Sequence, residues 1–299
     1  MLTGIRVGFI GGDARQLEVI KKISSMDAIV TLIGFENIEN NFKDIYFGEL
    51  DNVVIQNVDV LILPIIGTDD EGYIESIFSE KKIMLSKDCL SKFPNNSILF
   101  TGIARPYLKN MCDELNINLV ELLNRDDVAI YNSIPTVEGA LMFTIQNTDF
   151  TIHGSKAIVL GFGRTGITLA RVLDALGASV SVGVRKIEYM ARIYEMGLES
   201  FHIDDLDKNV SEVDLLFNTI PQMIITEKII ANMPLHAFIF DLASKPGGTD
   251  FHYAEKRGIK AMLAPGLPGI IAPKTAGNII GDVIIKSIIE HFGVSEVVQ

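Results

Sequence analysis

The sequence is poor in cysteine, in histidine and in clustered positive charge, and it contains no long apolar run. Each shortage excludes a class of protein. The two cysteines, Cys89 and Cys112, form no C-x-x-C pair. That spacing offers no metal cage, so no metal is expected, and both read as reduced thiols of a cytoplasmic protein. Lys and Arg total 26 against 38 Asp and Glu, a formal net charge of −12, and the cations are scattered. Nucleic acid needs clustered cations to neutralise its phosphates, so no nucleic-acid partner is expected. A small anionic ligand, which needs only a few well-placed cations, is not excluded. No stretch reaches the ~18 uninterrupted apolar residues of a membrane span, so no membrane partner is expected either. Met1 to Gly12 runs directly into a strand-like segment and lacks the basic start and long apolar stretch of a signal peptide. Among the histidines, His153, His202 and His236 read as structural, and no Ser/His/Asp arrangement has local support. Asp204-Asp205-Leu206-Asp207 reads as a solvated acidic face. His252, just past Gly247-Gly248, is the histidine that could face a cleft.

What the chain does have is 48% hydrophobic residues, set in short runs. Runs of this kind are typical of parallel strands buried on both faces. In the first half they predict strands at Val7–Ile10, Ile29–Ile33, Val58–Leu63, Ser97–Thr101 and Ile117–Val120. Helical spacing predicts helices near Asp13–Ser25, Glu71–Ser79 and Pro106–Glu114. The second half repeats the scheme, with strands at Lys156–Leu160, Ser179–Val184, Val213–Asn218, Ala237–Asp241 and Lys260–Leu263. Helices are expected there at Thr165–Leu176, Ile187–Met196, Glu227–Asn232 and Asp250–Lys256. Alternation of strand and helix implies parallel sheets with right-handed crossovers. The expected fold is therefore α/β, with two Rossmann-like parallel-sheet domains. Two more helices, Thr136–Gln146 after Pro135 and Thr275–Phe292 after Pro273, read as connectors crossing between the domains. The domains are then 1–135, completed by a C-terminal helix in 275–299, and 136–274. The alternative is that the last helix caps only the second domain.

Gly161-Phe162-Gly163-Arg164-Thr165-Gly166 lies between the apolar run Ala157–Leu160 and an amphipathic stretch. In that setting G-x-G-x-x-G marks a dinucleotide site. Gly161 permits a tight turn, Gly163 lets the backbone approach a pyrophosphate, and Gly166 allows close packing of helix on strand. The helix N-terminus presents N–H groups to the phosphates. An NAD site carries an acid at the end of the next strand, roughly 20 residues on. Here Ser179–Val184 ends in Arg185-Lys186. A guanidinium pairs with a 2′-phosphate where a carboxylate would repel it. NADP is the expected cofactor, with NAD still open, and a solvated basic pair is the competing reading. Thr219-Ile220-Pro221 and Ala243-Ser244 follow later strands and are expected near the cofactor, with Lys245 beside them.

In the first half, Gly11-Gly12-Asp13-Ala14-Arg15 follows the first strand with the wrong spacing for a second dinucleotide site. Helix N–H groups around Gly12 and Asp13, together with Arg15, suit a substrate carboxylate instead. A surface arginine in a first helical turn explains Arg15 equally well. Arg105, Arg125 and Lys274 are further cations at expected helix starts or hinges.

Four segments in order resemble one family: Ile10–Gln16, Asn132–Ala140, Gly161–Gly166 and Leu267–Gly277. Together they resemble the A subunit of dipicolinate synthase, essentially end to end, and the plan looks like that of D-2-hydroxyacid dehydrogenases, with two domains joined by two crossing helices. The resemblance implies an NADP-dependent oxidoreductase of sporulating bacteria, acting in the mother-cell cytoplasm. It implies a partner, a flavoprotein-like B subunit, with a homodimer also open. The reaction implied is dehydrogenation of dihydrodipicolinate, a small dicarboxylate of the lysine pathway, to dipicolinate. Substrate contacts are then expected from Gly12, Asp13, Arg15, Ser133, Thr136, Lys245 and Lys274, and proton transfer from His252 or Lys274. The rival readings are a 2-hydroxyacid or amino-acid dehydrogenase and a non-catalytic NADP(H)-sensing subunit. Against the first, Leu242-Ala243-Ser244-Lys245 lacks the arginine, and Pro268-Gly269 the histidine, that alcohol oxidation uses.

Overall fold

The computed structural model describes residues 1–38, 45–264 and 266–294. Residues 295–299, expected at the end of the last helix, lie outside the described residues. The chain divides into two compact units: unit 1 runs from Met1 to Ala129 and resumes at Ala272, and unit 2 is Ile130–Ile271.

Unit 1 contains β1 (Arg6–Ile10), β2 (Ile29–Ile33), β3 (Ile45–Gly48), β4 (Val60–Ile62), β5 (Tyr73–Ile74), β6 (Ile83–Met84), β7 (Ile98–Thr101) and β8 (Asn118–Glu121). Its helices are α1 (Ala14–Ser24), α2 (Asn52–Gln56), α3 (Lys87–Leu90) and α4 (Pro106–Glu114). Six strands form a parallel sheet in the order β3-β2-β1-β4-β7-β8. Both faces are apolar, as the continuous runs require. Phe9, Leu32, Ile62 and Phe100 fill one core, and Ile10, Ile33, Leu61 and Leu99 fill the other. The division between units falls inside α5 (Asp126–Asn147).

Unit 2 repeats the order with β9 (Lys156–Leu160), β10 (Ser179–Val184), β11 (Glu199–His202), β12 (Leu215–Asn218), β13 (Phe238–Asp241) and β14 (Lys260–Leu263), arranged β11-β10-β9-β12-β13-β14. Its helices are α6 (Arg164–Ala175), α7 (Ile187–Glu195), α8 (Leu206–Asn209), α9 (Glu227–Ala231), α10 (Phe251–Arg257) and α11 (Leu267–Ile271). In both sheets the strand order reverses beside the first strand, the switch point where ligands of open α/β sheets bind.

The last helix, α12 (Pro273–Phe292), belongs to unit 1 and packs on α1. Ile280, Ile284 and Ile288 face that core and are buried, each stabilising by about 1.5–3 kcal/mol. Two glycines one turn apart make the contact close. A Cβ on Gly277 would lie 2.4 Å from the Arg15 carbonyl oxygen, and one on Gly281 would meet Lys22 Cδ at 3.1 Å. Lys22 also ties the two helices together through Asp282 and the Asn278 carbonyl. The helices run parallel, with Gly277 beside Arg15 and Gly281 beside Lys22, so their N-termini share one end of the unit.

Three sequence expectations need correction. The helix expected at Glu71–Ser79 is absent. The segment is extended, pairing as β5 with β6 and bridging Gly12 to Ser76. Asp69 Oδ1 accepts from the Glu71 and Tyr73 amides, and Gly72 turns the chain at a φ of 94°. The spacing of Ile74 and Phe78 imitates a helix, yet Phe78 stacks on Phe35 at 5.2 Å. Second, α5 begins at Asp126, not Thr136, and carries Pro135 inside it. Around the proline, the Ser133 and Thr136 hydroxyls donate to the Ile130 and Asn132 carbonyls at 2.6 and 2.7 Å. Third, the strands β3 and β11 were not expected: Glu199-Ser200-Phe201-His202 is half polar, and Ile45-Tyr46-Phe47 is a short apolar run.

Gly277→Leu should lower stability by about 1–3 kcal/mol or more, because the side chain must displace the α1 backbone. Gly281→Ala should cost little or stabilise, since a flexible lysine end can move aside and alanine favours helix. Urea unfolding of both variants tests the contrast.

Candidate functional site

The glycine loop of unit 2 separates the three jobs its spacing predicts. Gly161 has a φ of 97°, and a Cβ there would sit 2.4 Å from Thr219 Oγ1. A Cβ on Gly166 would lie 2.2 Å from the Gly161 carbonyl oxygen, so α6 packs directly on the turn. Gly163, the N-cap of α6, has nothing within 4 Å of its Cβ position. The open side of the loop is therefore the helix N-terminus itself, with Gly163 and Arg164 exposed and Thr165 half-buried. A helix start with an open glycine at its N-cap fits a dinucleotide pyrophosphate. Phe162 is buried beneath the loop, its ring 6.0 Å from that of Tyr189.

The neighbouring loops frame this opening. Thr219 donates from both its amide and its hydroxyl to the Leu160 carbonyl, at 3.0 and 2.8 Å. Asn218 brackets the next residue: its Oδ1 accepts from the Ile220 amide, and its Nδ2 donates to the Ile220 carbonyl, both at 3.0 Å. Thr219, Ile220 and Pro221 are thus a fixed rim. At the end of β10, Arg185 donates an Nη–H to Gln222 Oε1 at 3.1 Å. Because β10 and β12 flank β9, that bond links the loops on either side of the glycine turn. The Lys186 ammonium lies 5.4 Å from the Tyr189 ring centroid.

Asp241, at the end of β13, is the organising group that its sequence position did not reveal. It is fully buried, as is Asn218. Its Oδ1 accepts from Asn218 Nδ2 and the Ala243 amide, both at 3.0 Å; its Oδ2 accepts from the Gly248 amide at 2.8 Å and the Thr249 hydroxyl at 2.7 Å. These donors hold the whole loop from Ala243 to Thr249 and leave Ser244 and Lys245 exposed. His252 is exposed in the first turn of α10. Ser133 is buried, its hydroxyl lying 2.7 Å from Thr168 Oγ1 as well as bonding the Ile130 carbonyl. The Ser133 and Thr136 hydroxyls, expected to contact substrate, both donate within the protein.

Unit 1 contains a cavity of about 210 Å³ at the N-terminus of α1, lined by Gly12, Asp13 and Arg15, by residues 64–69, and by Tyr73, Glu75, Ile77 and Arg105. That is smaller than the roughly 300–1,000 Å³ of sites for drug-sized ligands and suits a small monocyclic molecule. The expected role of Gly12 is not available to its amide. Its N–H donates to the Glu75 carbonyl at 3.0 Å, and its carbonyl accepts from the Ile77 amide at 2.9 Å. Asp13 faces its own neighbour: it accepts the Arg15 amide at 3.0 Å and grips the guanidinium through Nε at 2.9 Å and Nη2 at 2.5 Å. Burial pushes the Asp13 carboxyl up, but the hydrogen bonds and charge of Arg15 outweigh it and hold the group below the ordinary carboxylate range. Asp13 therefore orients Arg15. Arg105 makes a loose 3.9 Å contact with Asp70, and its charge also acts on Asp69. Lys274 is exposed in the first turn of α12, three residues before Gly277, and so stands at the Arg15 end of unit 1. Sequence reasoning missed Thr68, Asp69, Tyr73 and Glu75, because the segment carrying the last two read as a helix.

Among the described residues, no three His, Cys, Asp or Glu side chains are grouped to hold a metal ion, and no helix is long and apolar enough to cross a membrane. Burial pushes the Cys112 thiol up to about 12, which leaves it unreactive.

The family profile for the N-terminal domain of the dipicolinate synthase A subunit matches residues 6–123. The A subunit of dipicolinate synthase from Bacillus subtilis (strain 168) is 49% identical over 290 residues, covering 97% of this chain and 98% of that protein. The crystal structure of the dipicolinate synthase A subunit from Bacillus halodurans is similar with a TM-score of 0.94 and 51% identity, covering 96% of this chain and 99% of that one. The apo-structure of D-lactate dehydrogenase from Escherichia coli shares the fold alone, with a TM-score of 0.63 at 13% identity over 97% and 98% of the two chains.

Asp241→Ala should destabilise unit 2 by about 3 kcal/mol or more, since it strands several buried donors at once; calorimetric unfolding measures it. The Asp13–Arg15 pair predicts a pH signature. A carboxyl held below its unfolded value, about 3.9, contributes stability that is fully present above that pH and is lost as pH falls through the folded value. The difference in melting temperature between wild-type protein and Asp13→Asn should hold steady from pH 7 to about 5 and close below about 4. A gap that persists into acid would contradict it.

Proposed function

Because the chain belongs to the family of the dipicolinate synthase A subunit, we propose that it is the nicotinamide-dependent subunit that oxidises dihydrodipicolinate to dipicolinate, working with a B subunit in the mother-cell cytoplasm of a sporulating bacterium. The observation that carries this reading is the exposed, unobstructed Gly163 at the start of α6, framed by Thr219–Pro221 and the Asp241-held loop. The relatives' names supply the product, and the dehydrogenase-like fold supplies the reaction class.

Gly161 to Gly166 hold the pyrophosphate of the dinucleotide. Arg185 and Lys186 take the 2′-phosphate, with Arg185 exchanging Gln222 for it, so NADP is the preferred form. Bound nicotinamide supplies a two-electron acceptor for the ring being aromatised. The chain's own residues bind and orient the dicarboxylate. Arg15, held by Asp13, meets one carboxylate, and Lys274 and Lys245 are further cations for the substrate. Aromatisation provides the driving force, so orientation matters more than a strong base. Three side chains compete for the proton that leaves the ring: His252, Lys274 and Glu75. Glu75 is the cavity carboxylate with no hydrogen bond or ion pair among the described residues.

The test supplies the dihydrodipicolinate precursor with NADP⁺ or NAD⁺, with and without the B subunit, and follows absorbance of dipicolinate and NADPH. Turnover is expected, fastest with NADP⁺; none in any combination overturns the proposal. Arg185→Asp should weaken NADP⁺ binding by about 10- to 100-fold, the range of a hydrogen bond to a charged group, and leave NAD⁺ within a few-fold. Direct titration of both dinucleotides measures it, and equal losses would remove Arg185 from the phosphate site.

A further inference from the structure

The residues lining the cavity of unit 1 include the buried Thr68. Thr68 is 1% exposed, and among the described residues its hydroxyl has no hydrogen-bond partner. Leaving a buried hydroxyl unpaired is costly, and nearly all such groups in folded proteins are paired. Thr101 shows the usual outcome: equally buried, it donates to the Pro64 carbonyl at 2.8 Å. The backbone just before Thr68 is confined. The preceding Gly67 has a φ of 66°, and its Cβ position already lies 2.9 Å from Leu108 and 3.0 Å from Thr101 Oγ1.

The charges around the cavity indicate what would complete this hydroxyl. Asp13 is bound to Arg15, and Asp69 accepts the amides of Glu71 and Tyr73. Those hydrogen bonds, the Tyr73 amide foremost, hold the Asp69 carboxyl below its ordinary range. Glu75 is exposed at the rim, where solvent screens it. Donors remain: the second Nη of Arg15, and the Arg105 guanidinium, which among the described residues has a loose 3.9 Å contact to Asp70 and acts on Asp69 through its charge alone. The remaining Nη of Arg15, the Arg105 guanidinium and one buried hydroxyl around a small volume match two carboxylates on one ring.

We propose that Thr68 is a specificity-determining residue, donating its hydroxyl hydrogen to a carboxylate oxygen of a small ring dicarboxylate whose charges are met by Arg15 and Arg105. The proposal rests on the functional reading above and adds to it Thr68 and Arg105 as substrate contacts. A monocarboxylate leaves one of the two guanidinium groups unmatched and binds more weakly.

Dipicolinate and pyridine-2-carboxylate are titrated calorimetrically into the full chain without dinucleotide, using wild-type protein, Thr68→Val and Thr68→Ser. Thr68→Val should weaken dipicolinate about 10-fold or more, while Thr68→Ser stays within a few-fold of wild type. The melting temperature separates this role from a structural one. Removing an unpartnered hydroxyl in an isosteric swap should leave it unchanged or raise it, whereas a structural hydroxyl would lower it. Unchanged dipicolinate affinity in Thr68→Val, or a lowered melting temperature, overturns the proposal. If the wild-type protein turns the precursor over and yet Thr68→Val binds normally, Thr68 is excluded and the reaction stands. A wild-type protein that neither binds dipicolinate nor shows turnover removes both.

Discussion

Close approach of backbone to backbone, possible only where a side chain is missing, sets the geometry of both units. In unit 2 the start of α6 presses on the turn it has just left, with Gly166 against the Gly161 carbonyl. In unit 1 the start of α12 presses on the start of α1, with Gly277 against the Arg15 carbonyl. Each contact fixes a helix N-terminus, and those termini carry the groups proposed to meet ligand. A methyl group at either point would push a helix outward and carry those groups with it. The glycines place the binding atoms without contributing any.

A net charge of −12 does not conflict with the proposed anion sites, because three of the acids beside them are already engaged. Asp13 is absorbed by Arg15, Asp69 by backbone amides, and Asp241 by two amides, an asparagine and a threonine. Each carboxylate stiffens a loop while removing itself as a repulsive charge. Surplus negative charge elsewhere is solvated and screened over about 8–10 Å. Local hydrogen-bond satisfaction, not the overall balance, decides what the cavity attracts.

The parts of this protein that could be read from sequence are those governed by local pattern. Continuous apolar runs such as Val7–Ile10 and Ala157–Leu160 identified central strands, since both their faces are buried. The G-x-G-x-x-G spacing identified a turn whose glycines have separable duties. Of the edge strands, β8 and β14 were legible, β11 escaped notice because it is half polar, and β3 because its apolar run is only three residues long. The segment from Glu71 to Ser79 misled for a different reason: its apolar spacing is helical, and only Asp69 and Gly72 divert the backbone. Thr68 and Asp241 were beyond reach altogether. What distinguishes them is the presence or absence of partners supplied by distant chain, such as Asn218 for Asp241, and no local pattern encodes that.

The packing of α12 on α1 also sets a timetable. A ribosome completes the chain from its N-terminus, so α1, β1 and β2 emerge early with one apolar face lacking its partner helix. That partner starts at Pro273, after the whole of unit 2 has been made. At about 5–20 residues per second, the delay between Ala129 and Ala272 is on the order of ten to thirty seconds. The later-encoded unit is contiguous and can close on itself during that interval. The unit that begins first is the one finished last, and its exposed face must be kept from non-native contacts until α12 has been made.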